Sequence, residues 1–210
     1  MKLFTLTILL FLSSQTIAYD RILGKNFATR SEVIATNGMA ATSHPLATQT
    51  AIDVLKSGGN AIDAAIAANA VLGLVEPTGC GIGGDLFAIV WIDEDKKLYG
   101  LNSSGPAPQD MTIEKLKAMG IDKIPPFGPL PVTVPGAVAG WAALHKRFGK
   151  KSFDELFTNA IYYADNGFPI TEVVGYYLQL SSERYKDYPN FKDVWMPNGE
   201  ALKKGDVFVN

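Results

Sequence analysis

An alanine-rich segment that runs directly into a glycine-rich one constrains the fold of this chain most. Six alanines lie from Ala61 to Ala70, and the other residues of this segment are apolar except for Asp63 and Asn69. A helix that is apolar on all sides is buried. The glycines that follow tolerate positive φ and expose backbone N–H groups without a Cβ; they are Gly79, Gly81, Gly83 and Gly84. The junction predicts a buried helix that enters a turn, where an anion or a neighbouring loop can approach closely.

Helix start and stop signals frame this region. Pro45 follows Ser43 and His44, and proline suits the first turn of a helix that either residue caps. Gly58-Gly59 ends that helix, and Asn60 caps the alanine-rich one. Upstream, the apolar run from residue 33 to residue 36 predicts a short strand, which residues 39–43 extend.

The rest of the chain alternates strand-like and helix-like segments. Leu86 to Ile92 and Leu98 to Asn102 flank the charged residues 93–97 and predict a β-hairpin with a solvated tip. A proline-rich connector lies between residues 125 and 135 and is interpreted as a loop between elements. Helices are predicted near residues 113–119, 138–148, 153–166 and 171–185, and the tail from Tyr188 is predicted to be irregular.

Residues 1–18 have the pattern of a cleaved signal peptide. Lys2 precedes an apolar run from Leu3 to Leu12, and small residues lead to a predicted cleavage after Ala18. The run is too short to cross a bilayer, which takes roughly 20 residues, so we expect export without a membrane span. Cys80 is the only cysteine and cannot form an internal disulfide; we interpret it as a small buried thiol.

Composition and motifs exclude several function classes. The 19 basic and 21 acidic residues are interspersed, which argues against a nucleic-acid partner. The two histidines are too isolated for a metal site, and no cofactor is expected. The glycines match G-x-G-x-x-G, but a dinucleotide site needs a strand before them and a helix after them, and the predicted order is the reverse.

No catalytic set is visible from the residues alone. A paired-carboxylate hydrolase would need two acids across a cleft, and helix-cap or turn roles are favoured for each candidate. Ser103-Ser104-Gly105 lies at a strand end, but no G-x-S-x-G elbow is present. The candidate acids are Asp53, Asp63, Glu76 and Asp85.

Several ordered blocks of the sequence resemble one known family. They are residues 41–47 (ATSHPLA), 58–65 (GGNAIDAA), 81–87 (GIGGDLF), 132–136 (VTVPG) with Gly140-Trp141, and 164–168 (ADNGF). Together they are similar to gamma-glutamyltranspeptidase, also called glutathione hydrolase. The resemblance implies an α+β chain that forms the front part of the large subunit in the αββα sandwich of an N-terminal-nucleophile hydrolase.

The resemblance also implies how the activity is divided. Such proteins are exported precursors that cut themselves into a large and a small subunit. The new N-terminal threonine of the small subunit attacks the γ-glutamyl amide, with its own α-amine as base. That nucleophile lies beyond the segment that this chain resembles, so residues 19–210 are interpreted as an incomplete large subunit. No catalytic residue is assigned, and the chain alone is expected to be inactive.

One large-subunit position of the family contacts substrate directly. An arginine after the second hairpin strand pairs with the α-carboxylate of the substrate, and the resemblance puts Ser104 at that place. In relatives with a Gly-Arg-Ala-Pro loop, the arginine would fall at Pro106. Because neither residue carries a positive charge, the full-length protein is expected to act on acyl amides without an α-amino acid end. The alternative is an inactive or truncated relative that acts only as a binding or assembly partner.

Overall fold

The structure, a computed structural model, describes residues 32–209. The predicted signal peptide, residues 1–18, lies outside this range. Residues 32–37 belong to a separate unit from the body that begins at Gly38, and none of them is in a helix or strand. The strand predicted at residues 33–36, with its extension through 39–43, is therefore wrong. An apolar run becomes a strand only where another strand pairs with it, and no strand of the described part does so.

Seven α-helices, one 3-10 helix and four short strands make up the body formed by the described residues. The first half contains α1 (Pro45–Lys56), α2 (Ala61–Val75), β1 (Leu86–Ile92), β2 (Lys97–Ser103) and α3 (Ile113–Ala118). The second half contains α4 (Ala137–Phe148), the 3-10 helix Asp154–Phe157, α5 (Thr158–Asn166), β3 (Phe168–Pro169), α6 (Glu172–Tyr185), α7 (Phe191–Trp195) and β4 (Val207–Phe208).

The capping residues of α1 and α2 are those that the sequence predicts. His44 caps α1, with its Nδ1 accepting a hydrogen bond from the N–H of Leu46 at 3.2 Å. Asn60 caps α2 and forms a reciprocal capping box with Asp63. Gly58 follows α1 with φ of 92°, a conformation that favours glycine. These signals set where α1 ends and α2 begins.

Helix α2 is the buried centre of the body, as its composition predicts. Its apolar residues form much of one core, and the side chain of Asn69 accepts a hydrogen bond from the indole N–H of the buried Trp141 on α4 at 2.8 Å. The buried residues of α2 are Ile62, Asp63, Ala64, Ile66, Ala67, Ala68, Val71 and Val75. Alanine at so many of these positions lets neighbouring backbones approach closely.

The predicted hairpin is present, and its two faces differ. β1 and β2 pair antiparallel from Leu86↔Ser103 to Ile92↔Lys97. One face packs partly buried side chains, including Val90 and Leu101, against the helical core. The opposite face is exposed although it is apolar; it carries Phe87, Ile89, Trp91 and Leu98. We call these four residues the open hairpin face. Helices therefore cover only one side of this two-stranded sheet in the described part of the chain.

The C-terminal third differs from its prediction in two places. The helix expected over residues 153–166 is divided, because a 3-10 turn at Asp154–Phe157 precedes α5. The tail is not irregular throughout: it contains α7 and the strand β4, which pairs antiparallel with β3. Phe208 of β4 packs on the rings of Phe168 and Trp195. Burial of these aromatic rings stabilises an end that carries no local helix or turn signal.

No helix within residues 32–209 is long and apolar enough to cross a membrane.

Candidate functional site

The loop that follows β2 packs against the end of the proline-rich connector. The carbonyl oxygen of Gly84 accepts the N–H groups of Gly136 at 3.0 Å and Ala137 at 2.9 Å. The hydroxyl of Ser103 donates to the carbonyl oxygen of Gly136 at 2.7 Å. The glycine turn, the loop after β2 and the start of α4 therefore meet at one place. Ser104, the residue that the family resemblance assigns to substrate binding, lies in that loop.

Asp85 is the polar centre of this junction. Its Oδ2 accepts a hydrogen bond from the Ser104 hydroxyl at 3.1 Å, and its Oδ1 accepts one from the N–H of Gly105 at 3.1 Å. The hydroxyl of Thr133 donates to the same Oδ1 at 3.1 Å. One exposed carboxylate thus binds three donors, 19, 20 and 48 residues further along the chain.

The environment favours the ionised form of Asp85. The hydrogen bond from the Gly105 N–H is the largest influence that lowers the pKa of this carboxyl group, and the hydroxyls of Thr133 and Ser104 act in the same direction. Hydrogen bonds to the charged form of an acid stabilise that form. At neutral pH the site therefore carries one negative charge.

Gly105 is required by close packing in this loop. A Cβ placed on Gly105 would lie 1.5 Å from the carbonyl oxygen of Val134, which no side chain can occupy. The N–H of Val134 donates to the carbonyl oxygen of Pro106 at 3.0 Å, so the loop after β2 and the end of the proline-rich connector are also joined by a backbone hydrogen bond. Backbone contact fixes the position of Ser104 next to Asp85. Pro106, the second candidate position for the family's arginine, lies in the same contact.

The glycines of the turn do not adopt the positive φ that the sequence analysis considered. Gly79, Gly81, Gly83 and Gly84 all have negative φ, and a Cβ would meet open space at the first three. The N–H groups of Gly79 and Gly84 are used within the turn, by Glu76 and Gly81. Residues 81–85 are exposed. A neighbouring segment approaches the turn closely at its end, where the carbonyl oxygen of Gly84 accepts the N–H groups of Gly136 and Ala137.

The dinucleotide interpretation fails its structural requirement. Helix α2 precedes the glycines, and strand β1 begins at Leu86 directly after them. A pyrophosphate site needs the N-terminus of a helix at that point, so the order predicted from the sequence is confirmed.

The other candidate acids have separate, local roles. Asp63 belongs to the capping box of α2, Asp53 accepts from the side chain of Gln49 at 2.7 Å, and Glu76 accepts from the hydroxyl of Ser43. Within residues 32–209 no group of three His, Cys, Asp or Glu side chains could hold a metal ion.

His44 and Cys80 lie near the carboxylate of Glu76 but do not form an activated pair. Burial lowers the pKa of His44, while the charge of Glu76 opposes this effect. Burial raises the pKa of the half-buried Cys80 thiol, and Glu76 raises it further. A nucleophilic cysteine needs the opposite shift, which favours a structural Cys80 over a nucleophilic one, although the thiol is half-buried and not buried as predicted.

A cavity of about 550 Å³ lies between the helices and β1. Alanine and aliphatic side chains form most of its lining, many of them from α1 and α2, with Asp85, Asn69 and Thr42 as polar residues. Ser104 is not part of this lining. Its largely apolar lining suits apolar groups.

Comparison with known proteins identifies the family. A sequence model described as gamma-glutamyltranspeptidase matches residues 47–210. The chain belongs to the gamma-glutamyltranspeptidase family. It is 36% identical over 187 residues to the glutathione hydrolase proenzyme of Bacillus subtilis (strain 168), a match that covers 84% of this chain and 30% of that protein.

Solved structures of this family superpose on the chain. The gamma-glutamyltranspeptidase of Helicobacter pylori matches with a TM-score of 0.79 and 33% identity, covering 86% of this chain and 52% of that one. The cephalosporin acylase from Bacillus halodurans matches with a TM-score of 0.82 and 42% identity, covering 92% and 37%. These likenesses confirm the predicted α+β class and the partial fold of an N-terminal-nucleophile hydrolase.

The gamma-glutamyltranspeptidase-like chain spans about a third of the length of the curated relative that it matches. That relative is named as a proenzyme, which agrees with the expectation of a precursor that yields more than one subunit.

Proposed function

We propose that this chain is the front part of the large subunit of an exported gamma-glutamyltranspeptidase-type proenzyme. The proposed protein cleaves γ-glutamyl or related acyl amides and transfers the acyl group to water or an amino acid. The match of the family model over residues 47–210 carries this proposal. Residues 1–18 serve as its signal peptide, and residues 19–210 form the large-subunit portion.

By analogy with the family, we assign the nucleophile to the small subunit and substrate contacts to this chain. The hydroxyl oxygen of the threonine at the new N-terminus of the small subunit attacks the amide carbon, and its proton passes to the threonine's α-amine. The C–N bond breaks, and the leaving amine takes that proton, which leaves an acyl ester on threonine. Water or an amino acid then attacks the ester, and the threonine is released. This chain contributes scaffold and substrate contacts rather than the nucleophile.

The open hairpin face supports a role as one part of a larger assembly. Its residues Phe87, Ile89 and Trp91 are 68%, 80% and 56% exposed. A row of large apolar side chains on a sheet is normally covered in a soluble protein. We propose that the remaining precursor, including the small subunit, packs on this face and completes the β-sheet layers.

Ser104 is proposed as a substrate contact at the place where the family has its carboxylate-binding arginine. A hydroxyl donates one hydrogen bond and cannot neutralise a carboxylate. We therefore propose that the full-length protein prefers acyl amides without an α-amino acid end, such as glutaryl amides, over glutathione. The related cephalosporin acylase is named for a different acyl amide, which is compatible with such a change.

Two assays test the proposed function. The chain alone, incubated with a γ-glutamyl anilide, should release no aniline, and substantial release would overturn the assigned roles. The full-length precursor should cut itself into two subunits on a denaturing gel and then hydrolyse acyl anilides, with glutaryl anilide preferred over glutathione.

The second candidate, an inactive relative that acts only as a binding or assembly partner, makes the opposite prediction. It requires that the full-length precursor stays intact and turns over no acyl amide.

A further inference from the structure

At the proposed substrate contact, the hydroxyl of Ser104 and the N–H of Gly105 already donate hydrogen bonds to the carboxylate of Asp85. Ser104 has a single O–H group, and in the structure this group donates to Asp85 at 3.1 Å. The N–H of Gly105 donates to the same carboxylate at 3.1 Å. A substrate carboxylate that arrives at Ser104 would therefore find neither donor free.

The charge at this place is also unfavourable for a carboxylate. Asp85 is exposed, and no lysine, arginine or histidine in residues 32–209 lies within ion-pair distance of it. Its hydrogen bonds come from neutral hydroxyl and amide groups, which hold the carboxylate without cancelling its charge. Like charges at close range repel, and the repulsion weakens as salt screens it.

We infer that Asp85 determines acyl specificity, because it occupies the donors of Ser104 and Gly105 and places a fixed negative charge where the acyl group ends. This inference rests on the proposed function, specifically on Ser104 as a substrate contact. It narrows the substrate class further than the missing arginine does. Acyl groups whose far end is neutral or cationic are accepted, whereas those ending in a carboxylate are disfavoured, whether or not they carry an α-amino group.

Four anilides separate these classes when they are assayed with the self-cleaved full-length protein. Butyryl anilide has a neutral end and 4-aminobutyryl anilide a cationic one, whereas glutaryl and γ-glutamyl anilides end in a carboxylate. The wild-type protein should show a kcat/KM for butyryl and 4-aminobutyryl anilides at least about tenfold above that for glutaryl anilide, with the difference mainly in KM. The γ-glutamyl anilide should be poorer still, because the proposed function already places it below the glutaryl one.

Asp85→Asn removes the charge and keeps the size of the side chain. It should raise kcat/KM for the two carboxylate-ended anilides about fivefold relative to the value for butyryl anilide. The matched control is Thr133→Val, which removes one hydrogen bond to Asp85 but keeps the charge. A purely structural role for Asp85 would make both variants change all four substrates alike, which would overturn the inference.

An ionic-strength series tests the inference independently on the wild-type protein. It remains decisive if the Asp85→Asn precursor does not cut itself into subunits. Raising the salt to about 0.5 M shortens the screening length and should improve only the carboxylate-ended anilides. If no anilide is turned over and no self-cleavage occurs, the proposed function fails, and the inference fails with it. If all are turned over and neither salt nor Asp85→Asn changes their ratio, the inference alone fails.

Discussion

Asp63, although its side chain is fully buried, accepts a hydrogen bond from the backbone N–H of Lys150, 87 residues later in the chain, at 3.1 Å. Its other oxygen accepts from the N–H of Lys151 at 3.2 Å and from the N–H of Asn60 at 3.0 Å. The side chain of Asn60 donates to the carbonyl oxygen of Phe148 at 2.6 Å. The start of α2 is therefore joined to the end of α4 through one capping box.

Asp63→Asn should destabilise the chain strongly. The amide keeps one acceptor oxygen but turns an NH2 group toward backbone N–H donors, so buried hydrogen bonds are lost. The free energy of unfolding should fall by about 2 kcal/mol or more, measured by urea denaturation. Asp53→Asn is the matched control: Asp53 is exposed and its side chain accepts a hydrogen bond from Gln49 on its own helix, so its change should stay within about 0.5 kcal/mol. Equal effects from both variants would contradict this account of Asp63.

His44 should make stability depend on pH. Its side chain is buried, Nδ1 accepts from Leu46, and Nε2 has no partner in the described part of the chain. Burial lowers the pKa of His44 in the folded state below its ordinary value of 6.5. The unfolded chain therefore binds a proton that the folded chain does not, and the stability from this group is lost as pH falls through 6.5.

The test of His44 compares urea denaturation of the wild-type chain and of His44→Asn, which keeps a capping side chain, between about pH 7.5 and about pH 5.5. The wild-type chain should lose more stability over this interval than the variant. The same slope in both proteins would show that other groups cause the dependence.

Gly105→Ala should disrupt the loop that holds Ser104. The new Cβ would collide with the carbonyl oxygen of Val134, so the backbone must move, at a cost of about 2 kcal/mol or more. Gly79→Ala provides the control, because a Cβ there meets open space and φ is negative. That change should be neutral or slightly stabilising, by up to about 1 kcal/mol. Thermal unfolding of the two variants checks the contrast, and a stable Gly105→Ala chain would exclude the tight packing described.

The two faces of the hairpin should respond differently to the same kind of substitution. Val90→Thr puts a hydroxyl into the face that packs on the core and should cost about 1 kcal/mol or more. Ile89→Thr, on the open hairpin face, should change the stability of the chain alone by less than about 0.5 kcal/mol and reduce its self-association on gel filtration.

In the full-length precursor, Ile89→Thr should become destabilising if the remaining precursor covers this face as proposed. An unchanged melting temperature of the precursor would contradict that covering.

Local signals predicted most of the secondary structure. Pro45, Gly58 and Asn60 start or end their helices through contacts within a few residues, so the limits of α1 and α2 can be predicted from the sequence. The strand predicted at residues 33–36 was wrong because β-propensity does not supply a pairing partner. Strand β4 was missed for the converse reason, since its pairing with β3 depends on residues about 40 positions apart.

The candidate site was predictable only in part. The family resemblance selected Ser104, and the residues alone gave Asp85 a turn role. Neither pointed to their hydrogen bond or to the donation from Thr133, 48 residues beyond Asp85. Contacts at such separations follow from the packing of the connector on the glycine turn, which leaves no periodic pattern in the sequence.

The joint between the glycine turn and α4 consists of main-chain atoms, because the carbonyl oxygen of Gly84 receives the N–H groups of Gly136 and Ala137. Exchanging the side chains at positions 85 and 104 leaves those two bonds in place. On the specificity role proposed for Asp85 and Ser104, evolution can alter which acyl ends are tolerated without rebuilding the scaffold, and laboratory selection for new amide substrates can start at these two positions.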